Sequence, residues 1–196
     1  MKPGNQLPLD RCPQCSISRP TLTRAWGPYE TKDHAGGTPR TWSTYRCGSC
    51  GGVVLTSAPN NHGFDITNIW PAPQEVAEVI PEKSREYLTQ AIASQHAPAG
   101  AVMLAASAID AMLKEKGYKD GSLYARIDSA AENHLITTEM AAWAHEIRLD
   151  ANDQRHADDG APLPTLADAQ KVIEFARALA QFIFVLPARV ERGRRE

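Results

Sequence analysis

The sequence predicts an α+β protein that is mainly α, with a small β ribbon at the N terminus followed by a bundle of about five helices. Three observations predict this fold class. All four cysteines of the 196-residue chain lie within the first 50 residues. Residues 1–70 carry seven Lys and Arg against four Asp and Glu, a net charge of +3, whereas residues 71–196 carry fourteen against nineteen, a net charge of −5. Apolar residues follow a β-type pattern before that change and a helical pattern after it.

The overall composition excludes several classes of protein. A hydrophobic content of 42% with 22% charged residues is typical of a folded globular chain. The net charge of −2 gives no whole-chain electrostatic argument for nucleic-acid binding. No apolar run approaches the roughly 20 residues of a membrane span, and the first ten residues lack a secretory apolar segment. We therefore expect a cytoplasmic protein without membrane contact, in which thiols stay reduced.

The first 70 residues contain four runs rich in Thr, Val and aromatic residues, which predict short strands. These predicted strands are Thr21–Trp26, Thr41–Arg46, Val53–Thr56 and Phe64–Trp70. Gly36-Gly37 predicts a loop tip between the first two strands, and Pro71 and Pro73 mark a linker. The predicted domains are a ribbon at 1–70, a linker at 71–80 and a helical bundle at 81–196.

Five helices are predicted after the linker from apolar residues at helical spacing, bounded by Pro and Gly. They cover residues 81 to about 95, 99–116, 123–133, 138 to about 154, and 165–185. Thr165 and Asp168 predict an acidic variant of the capping box. Pro187 is expected to end the last helix, which leaves a basic, solvated C-terminal tail. The tail arginines are Arg189, Arg192, Arg194 and Arg195.

The cysteines form two Cys-x-x-Cys pairs, Cys12/Cys15 and Cys47/Cys50, separated by 31 residues. Two residues between thiolates allow a tight turn to direct both sulfurs at one ion, and two such turns complete a tetrahedron. The pattern predicts one structural Zn²⁺ per chain, with iron binding or redox use as the alternatives. A site closed by four thiolates is not a hydrolytic one. We expect a β-hairpin with an extended tip to fill the gap between the pairs.

Arginines and aromatic residues interleave in the ribbon, a mixture that can contact phosphates and stack on bases. The arginines are Arg11, Arg19, Arg24, Arg40 and Arg46, and the aromatic residues are Trp26, Tyr29, Trp42 and Tyr45. RNA or DNA is therefore a candidate partner of the ribbon. The alternative is structural: a ribbon with a very small core uses its aromatic residues to cover the cysteine turns.

The fourth predicted helix carries an unusually polar row. Arg148, Asn152 and His156 are spaced at i, i+4 and i+8, and His145 and Asp159 continue nearly the same row. Such a row facing a cleft can bind a phosphate and move a proton. The alternative is a buried polar network in which, for example, Arg148 pairs with Asp110.

Four segments of the helical part, spread over about residues 69–187, carry a family resemblance. They are Ile69-Trp70-Pro71, Ile80-Pro81-Glu82, Ala106 to Lys114 followed by Gly117, and, most specifically, Ile147 to His156. In these segments the chain is similar to a bacterial domain-of-unknown-function family of the HEPN-like group, which occurs fused to type I restriction R subunits and as stand-alone proteins with zinc ribbons.

The resemblance implies a HEPN-like bundle and a possible metal-independent ribonuclease site composed across a dimer. HEPN ribonucleases carry an Arg, a polar residue, three further residues and a His. Asn152 and His156 match the polar residue and the His, but Ala151 stands at the arginine position and Arg148 is too far upstream. Ser107 also stands where the family often has Arg. Loss of an oriented cation removes charge stabilisation of the transition state.

Two function hypotheses follow. The first is a non-catalytic adaptor composed of the zinc ribbon and the HEPN-like bundle, in a nucleic-acid-linked or phage-defence context. It would form a homodimer through the bundle, and it would bind either RNA or DNA through the ribbon or a protein partner. The alternative is a metal-independent endoribonuclease, or toxin, that uses His156 with Arg148 and Asn152.

Overall fold

The computed structural model describes residues 1–59, 65–73, 76–156 and 162–195; between 148 and 156 it describes the helical backbone without the side chains. The chain forms two compact units, Met1–Gln74 and Glu75–Glu196. None of the helices in these ranges combines the length and apolarity that a membrane span needs.

The N-terminal unit is a four-stranded antiparallel sheet with strand order β1-β2-β3-β4. Its strands are β1 (Leu22–Thr31), β2 (Arg40–Cys47), β3 (Val53–Ala58) and β4 (Asn68–Trp70). Strands β1 and β2 form the long hairpin expected between the cysteine pairs. The Asp33 carboxylate orders the hairpin tip by accepting hydrogen bonds from the N–H groups of Ala35 and Gly37 at 3.0 and 2.8 Å. The fourth strand is shorter than predicted, and Phe64 lies outside the described residues.

The core of this unit is small. One face of β2 contributes Tyr45 and Cys47 to it, because alternate residues of a strand point to the same side of the sheet. The core residues are Leu7, Cys12, Leu22, Tyr45, Cys47 and Val54, each at most 1% exposed. Two of these six residues are cysteines of the predicted metal site. A core this limited depends on an additional cross-link for stability.

The second unit is helical. Its first five helices are α1 (Glu82–Ala93), α2 (Pro98–Glu115), α3 (Leu123–Glu132), α4 (Thr138–His156) and α5 (Leu166–Ala180). Helix α2 lies at the centre and contacts the other four. Its fully buried alanines, Ala101, Ala105 and Ala108, have small side chains that permit this close packing. The α+β class and the five helices are therefore confirmed for the described residues.

The start of α5 confirms the predicted capping box. The Asp168 N–H donates to Thr165 Oγ1 at 3.3 Å, and the Thr165 N–H donates to Asp168 Oδ2 at 2.9 Å. These two bonds satisfy N–H groups that the first helical turn leaves without an intrahelical partner.

The prediction that Pro187 ends the last helix is wrong. A π-helical turn (Gln181–Val185) follows α5, and α6 (Leu186–Gly193) follows it directly with Pro187 in its first turn. The Leu186 N–H donates to the carbonyl of Gln181, five residues back. A wider turn of this kind tolerates a proline, which lacks an N–H and crowds the carbonyl four residues back. Arg189 and Arg192 of the expected tail are therefore helical.

Candidate metal centre and ribbon surface

The four cysteines converge on one point, as their spacing predicts. The Sγ atoms of Cys12, Cys15, Cys47 and Cys50 all lie within 4.8 Å of one another. Cys12 and Cys47 are buried, whereas Cys15 and Cys50 are exposed. The β1–β2 hairpin brings the pairs together, because it begins after the first pair and returns to Cys47.

The two Cys-x-x-Cys segments share one backbone geometry. In each, the N–H of the first cysteine donates to the carbonyl five residues ahead, and the N–H four residues ahead donates to that cysteine's carbonyl. In the first segment the bonds join Cys12 N to Ile17 O and Ser16 N to Cys12 O. In the second segment the equivalent bonds join Cys47 N to Gly52 O and Gly51 N to Cys47 O, and all four are 2.9–3.0 Å long. Ser16 and Gly51 hold equivalent left-handed positions, with φ of 59° and 72°. This shared turn makes the two segments equivalent halves of one site.

Contacts between the segments leave little space around the sulfurs. Gln14 Nε2 donates to the carbonyl of Val53 at 2.9 Å, which ties the first segment to the start of β3. A side chain at Gly52 would place its Cβ 2.6 Å from Gln14 Cγ and 3.2 Å from Cys50 Sγ. The Gly52 N–H donates to that sulfur at 3.3 Å. Glycine at this position therefore allows the backbone to approach the sulfur closely.

The thiols differ in acidity. Burial, together with the neighbouring thiols of Cys50 and Cys12, raises the pKa of Cys15 to about 12. Burial also opposes ionisation of Cys47, but hydrogen bonds from the backbone of Cys50 and Ser49 and from neighbouring thiols lower its pKa to about 7. The two pKa values diverge because burial and neighbouring thiols oppose ionisation of Cys15, whereas hydrogen bonds to the Cys47 sulfur stabilise its thiolate.

The cysteine site fits a four-coordinate metal ion. In a tetrahedral zinc site with Zn–S bonds near 2.3 Å, the sulfurs are about 3.8 Å apart. The separations of at most 4.8 Å between the four Sγ atoms lie close to this requirement. Since four protein sulfurs complete the tetrahedron, such a site has no open position for a substrate or an activated water.

The strand register defines the two faces of the sheet, and we call the face opposite Tyr45 and Cys47 the outer face. Residues directly opposite each other on neighbouring strands share a face. Trp26 is opposite Thr44 and Tyr29 is opposite Trp42, while Trp70 pairs with Leu55 on β3. The outer face comprises Thr23, Trp26, Tyr29, Thr31, Arg40, Trp42, Thr44, Arg46, Val53, Leu55, Ser57, Asn68 and Trp70. No carboxylate occurs among these thirteen residues.

Four aromatic side chains on the outer face form two pairs. The ring centroids of Trp26 and Tyr29 are 5.4 Å apart, and those of Trp42 and Trp70 are stacked at 5.7 Å. Trp26 and Tyr29 are each 54% exposed, and Trp70 is 44% exposed. The Trp42 Nε1–H donates to Thr31 Oγ1 at 2.8 Å, which fixes the orientation of that indole.

An irregularity in β1 places Trp26 and Tyr29 on the same face. Residues three apart lie on opposite faces of a regular strand. The register shifts between Trp26 and Tyr29, at Gly27-Pro28, and the extra residue reverses the alternation. Gly27 has φ of 96°, and a Cβ there would lie 2.6 Å from the Trp42 carbonyl oxygen.

The structure separates the arginines and aromatic residues that the sequence groups together. Only Arg40 and Arg46 of the five arginines lie on the outer face. Arg11 donates to the Ser16 carbonyl at 3.0 Å beside the first cysteine pair. Tyr45 is fully buried in the core, as the structural alternative predicts for the aromatic residues.

Trp70 is the aromatic residue of the outer face that sequence reasoning missed. Its position at the end of the last predicted strand, just before Pro71, contained the signal. Trp70 lies on the outer face because of the register in which β4 pairs with β3, and the sequence does not specify that register.

The proposed catalytic row lies largely outside the described residues. Helix α4 runs to His156, but the side chains of Arg148, Asn152 and His156 are not described, and neither is Asp159. His145 lies next to the row, and its Nε2 is 2.8 Å from Asp128 Oδ1 on α3. The Tyr124 ring stacks on His145 at 4.1 Å.

Asp110, suggested as a partner of Arg148, has two other cationic partners. Its Oδ1 accepts a hydrogen bond from Arg126 Nη1 at 2.6 Å, and its Oδ2 accepts one from Lys114 Nζ at 2.5 Å. Arg126 also donates to the carbonyls of Lys119 and Gly121 at 3.2 and 2.7 Å. This cluster holds the α2–α3 connection in place.

Comparison with known proteins identifies the family of the helical part. No curated protein and no solved structure matches the chain. Residues 78–196, which include every helix described above, match a family described as a domain of unknown function, DUF4145. That match spans more than half of the sequence, and the chain belongs to the DUF4145 family.

Proposed function

We propose that this protein is a non-catalytic adaptor in which one structural zinc ion holds the N-terminal ribbon in a binding-competent form. The observation that carries the proposal is the convergence of four thiols from two equivalent turns within 4.8 Å. Such a donor set is closed to substrate, so the metal stabilises the fold and does not take part in a reaction. Free thiols and a thiolate-bound metal suit a reducing compartment such as the cytoplasm.

The ribbon is the unit that contacts nucleic acid in this proposal. Support comes from the outer face, where Trp26, Tyr29 and Trp70 are exposed and two arginines occur without a carboxylate. Aromatic rings and cations in this combination suit bases and phosphates. The proposed restriction-linked or phage-defence context rests on the resemblance of the helical part to HEPN-like proteins.

The helical unit is the proposed dimerisation and protein-contact part, with a HEPN-like arrangement. Phe182, Leu186 and Val190 form a row at four-residue spacing that we call the C-terminal apolar row. Their side chains are 42%, 41% and 59% exposed, and α6 has no buried residue. An amphipathic helix with an uncovered apolar stripe is suited to pairing with its copy in a homodimer.

The metal content of the full-length protein tests the adaptor proposal. We expect about one zinc per chain in protein purified without added metal, measured by elemental mass spectrometry. Cys47→Ser is expected to lose most of the zinc, because three ligands no longer close the tetrahedron. Ser49→Ala, an exposed position in the same turn, is the matched control and should retain it. Zinc below about half an equivalent in the wild type would contradict a closed four-thiolate site.

The competing function is the metal-independent ribonuclease. It is favoured by the run of α4 to His156, which keeps Arg148, Asn152 and His156 on one helix. Wild type and His156→Ala are to be incubated with RNA in EDTA. The adaptor proposal expects no cleavage by either protein, because the arginine position of the ribonuclease pattern holds Ala151. RNA cleavage by the wild type but not by His156→Ala would contradict the adaptor proposal and support the ribonuclease.

A further inference from the structure

The outer face of the ribbon carries four aromatic side chains and two arginines but no carboxylate. We propose that it binds single-stranded nucleic acid, with unpaired bases stacked on its aromatic side chains and phosphates held by Arg40 and Arg46. The inference rests on the proposed zinc-held ribbon and adds the class of ligand, the site and its size.

The aromatic side chains cross the sheet from one edge to the other. Trp26 and Tyr29 belong to edge strand β1, Trp42 to β2, and Trp70 to the opposite edge strand β4. Three interstrand spacings separate the edges, about 14 Å. A four-stranded sheet with exposed aromatic residues accommodates about two or three stacked bases. The site therefore matches a short unpaired segment.

Exposure favours stacking over a purely structural role for these rings. Three of the four aromatic side chains are 44–54% exposed, although large apolar side chains normally contribute to the core when one is available. The ribbon does bury an aromatic ring, since Tyr45 on the other face is fully buried and donates its hydroxyl to the Gly4 carbonyl at 3.1 Å. The chain therefore keeps its core aromatic residue separate from the exposed ones.

The charge distribution favours an anionic ligand. Arg40 and Arg46 lie on the outer face, where no Asp or Glu occupies any paired position. Two acids of this unit are engaged elsewhere: Asp33 caps the hairpin tip, and Asp65 binds the N-terminal amine at 2.6 Å. Glu30 is opposite Thr41, so it belongs to the other face. A phosphate backbone meets cations on this face without a carboxylate to repel it.

A groove beside Trp42 and Trp70 offers polar contacts to a base. Its volume is about 670 Å³, and Arg40 and Asn68 contribute to its lining. The Asn68 amide nitrogen donates to Ser57 Oγ at 3.2 Å, which orients the side chain next to the Trp70 ring. An amide group beside a stacking platform can hydrogen-bond to a base edge.

Unpaired bases fit this surface better than a duplex. A duplex hides the flat faces of its bases, so rings that lie on an open sheet reach only its backbone. The net charge of +3 for residues 1–70 also gives weak attraction to duplex phosphates alone. We therefore expect the affinity for single strands to exceed that for a duplex of the same sequence.

Fluorescence anisotropy with the zinc-loaded full-length protein tests the inference. The probes are labelled oligothymidines of two to twelve nucleotides and a matched duplex, titrated across a range of salt. Affinity should rise with length up to about two or three nucleotides, the predicted size of the site, and then change little. Trp26→Ala with Tyr29→Ala should weaken binding by about fivefold to 150-fold for each base that loses its stacking partner. Trp26→Phe should retain most of the binding.

Two further variants separate the contributions of charge and of general aromatic exposure. Arg40→Ala with Arg46→Ala removes two phosphate contacts, so the slope of log affinity against log salt should fall by about 1.4. Tyr124→Ala removes a ring that is 47% exposed on the helical unit and should bind as the wild type does.

Zinc content measured on the same samples distinguishes failure of the proposed zinc site from failure of the proposed nucleic-acid site. Zinc-loaded protein that fails to bind single strands at low salt, or prefers the duplex, overturns this inference and leaves the structural zinc site intact. Wild-type affinity in the Trp26→Ala/Tyr29→Ala protein, or a wild-type salt slope in the Arg40→Ala/Arg46→Ala protein, also overturns it. Protein that contains no zinc overturns the proposed function on which the inference rests.

Discussion

Single side chains decide the local order of both units, and Asp110 is the clearest case in the helical unit. Its carboxylate joins Lys114 on its own helix to Arg126 on α3. Arg126 is only 12% exposed in its side chain, whereas Lys114 is 44% exposed. The two ion pairs therefore differ in how strongly water competes with them.

Truncation of Asp110 should cost more than truncation of its exposed partner. Asp110→Ala leaves the largely enclosed guanidinium of Arg126 without its carboxylate, and we expect a loss of about 1–3 kcal/mol in the free energy of unfolding. Lys114→Ala, the matched control, should cost about 0–1 kcal/mol. Urea unfolding followed by far-UV circular dichroism measures both. Equal urea midpoints for the two variants would contradict the predicted difference, and a wild-type midpoint for Asp110→Ala would show that Asp110 has no structural role.

The sequence predicts some site residues well because their chemistry is local. A Cys-x-x-Cys turn needs only four consecutive residues to direct two sulfurs together, so Cys12, Cys15, Cys47 and Cys50 were identifiable without a fold. The outer face was not identifiable in this way. Alternation places Tyr45 and Trp42, three residues apart on β2, on opposite faces, but only the structure shows which of the two faces is buried.

At the scale of elements, local signals predict the core of each helix and strand but not its interruptions. The π-helical turn Gln181–Val185 and the irregularity at Gly27-Pro28 both insert extra backbone without ending the element. Proline predicted an end to the last helix, yet the π turn accommodates Pro187 and extends the helix to Gly193. Such insertions depend on tertiary packing, and single-residue preferences do not include it.

The extended helix leads to a prediction about assembly. Leu186→Asp places a charge within the C-terminal apolar row, and burial of that charge in a homodimer would be costly. Light scattering coupled to gel filtration should give about twice the 21.4 kDa chain mass for the wild type and a single chain mass for the variant. Glu191→Gln, also on α6, should remain dimeric. If the wild type has the mass of a single chain even at high protein concentration, the proposed homodimer is wrong.

At the scale of the whole molecule, the two units depend on different sources of stability. The helical unit buries a core that includes Leu88, Met112, Phe175 and Leu179, all at most 1% exposed. The hydrophobic core cluster of the ribbon has six buried residues, and two of these are cysteines of the metal site. Removal of zinc is therefore expected to unfold the ribbon and to leave the helical circular dichroism signal largely intact.

The central claim is that bound metal makes the ribbon competent to bind nucleic acid. Native mass spectrometry of the full-length protein with a short unlabelled oligothymidine, before and after chelation, tests it most directly. We predict one zinc per chain and oligonucleotide adducts only on zinc-bearing chains, with binding restored when zinc is returned. Oligonucleotide bound equally well by zinc-free chains, or absent from zinc-bearing chains, would contradict the claim.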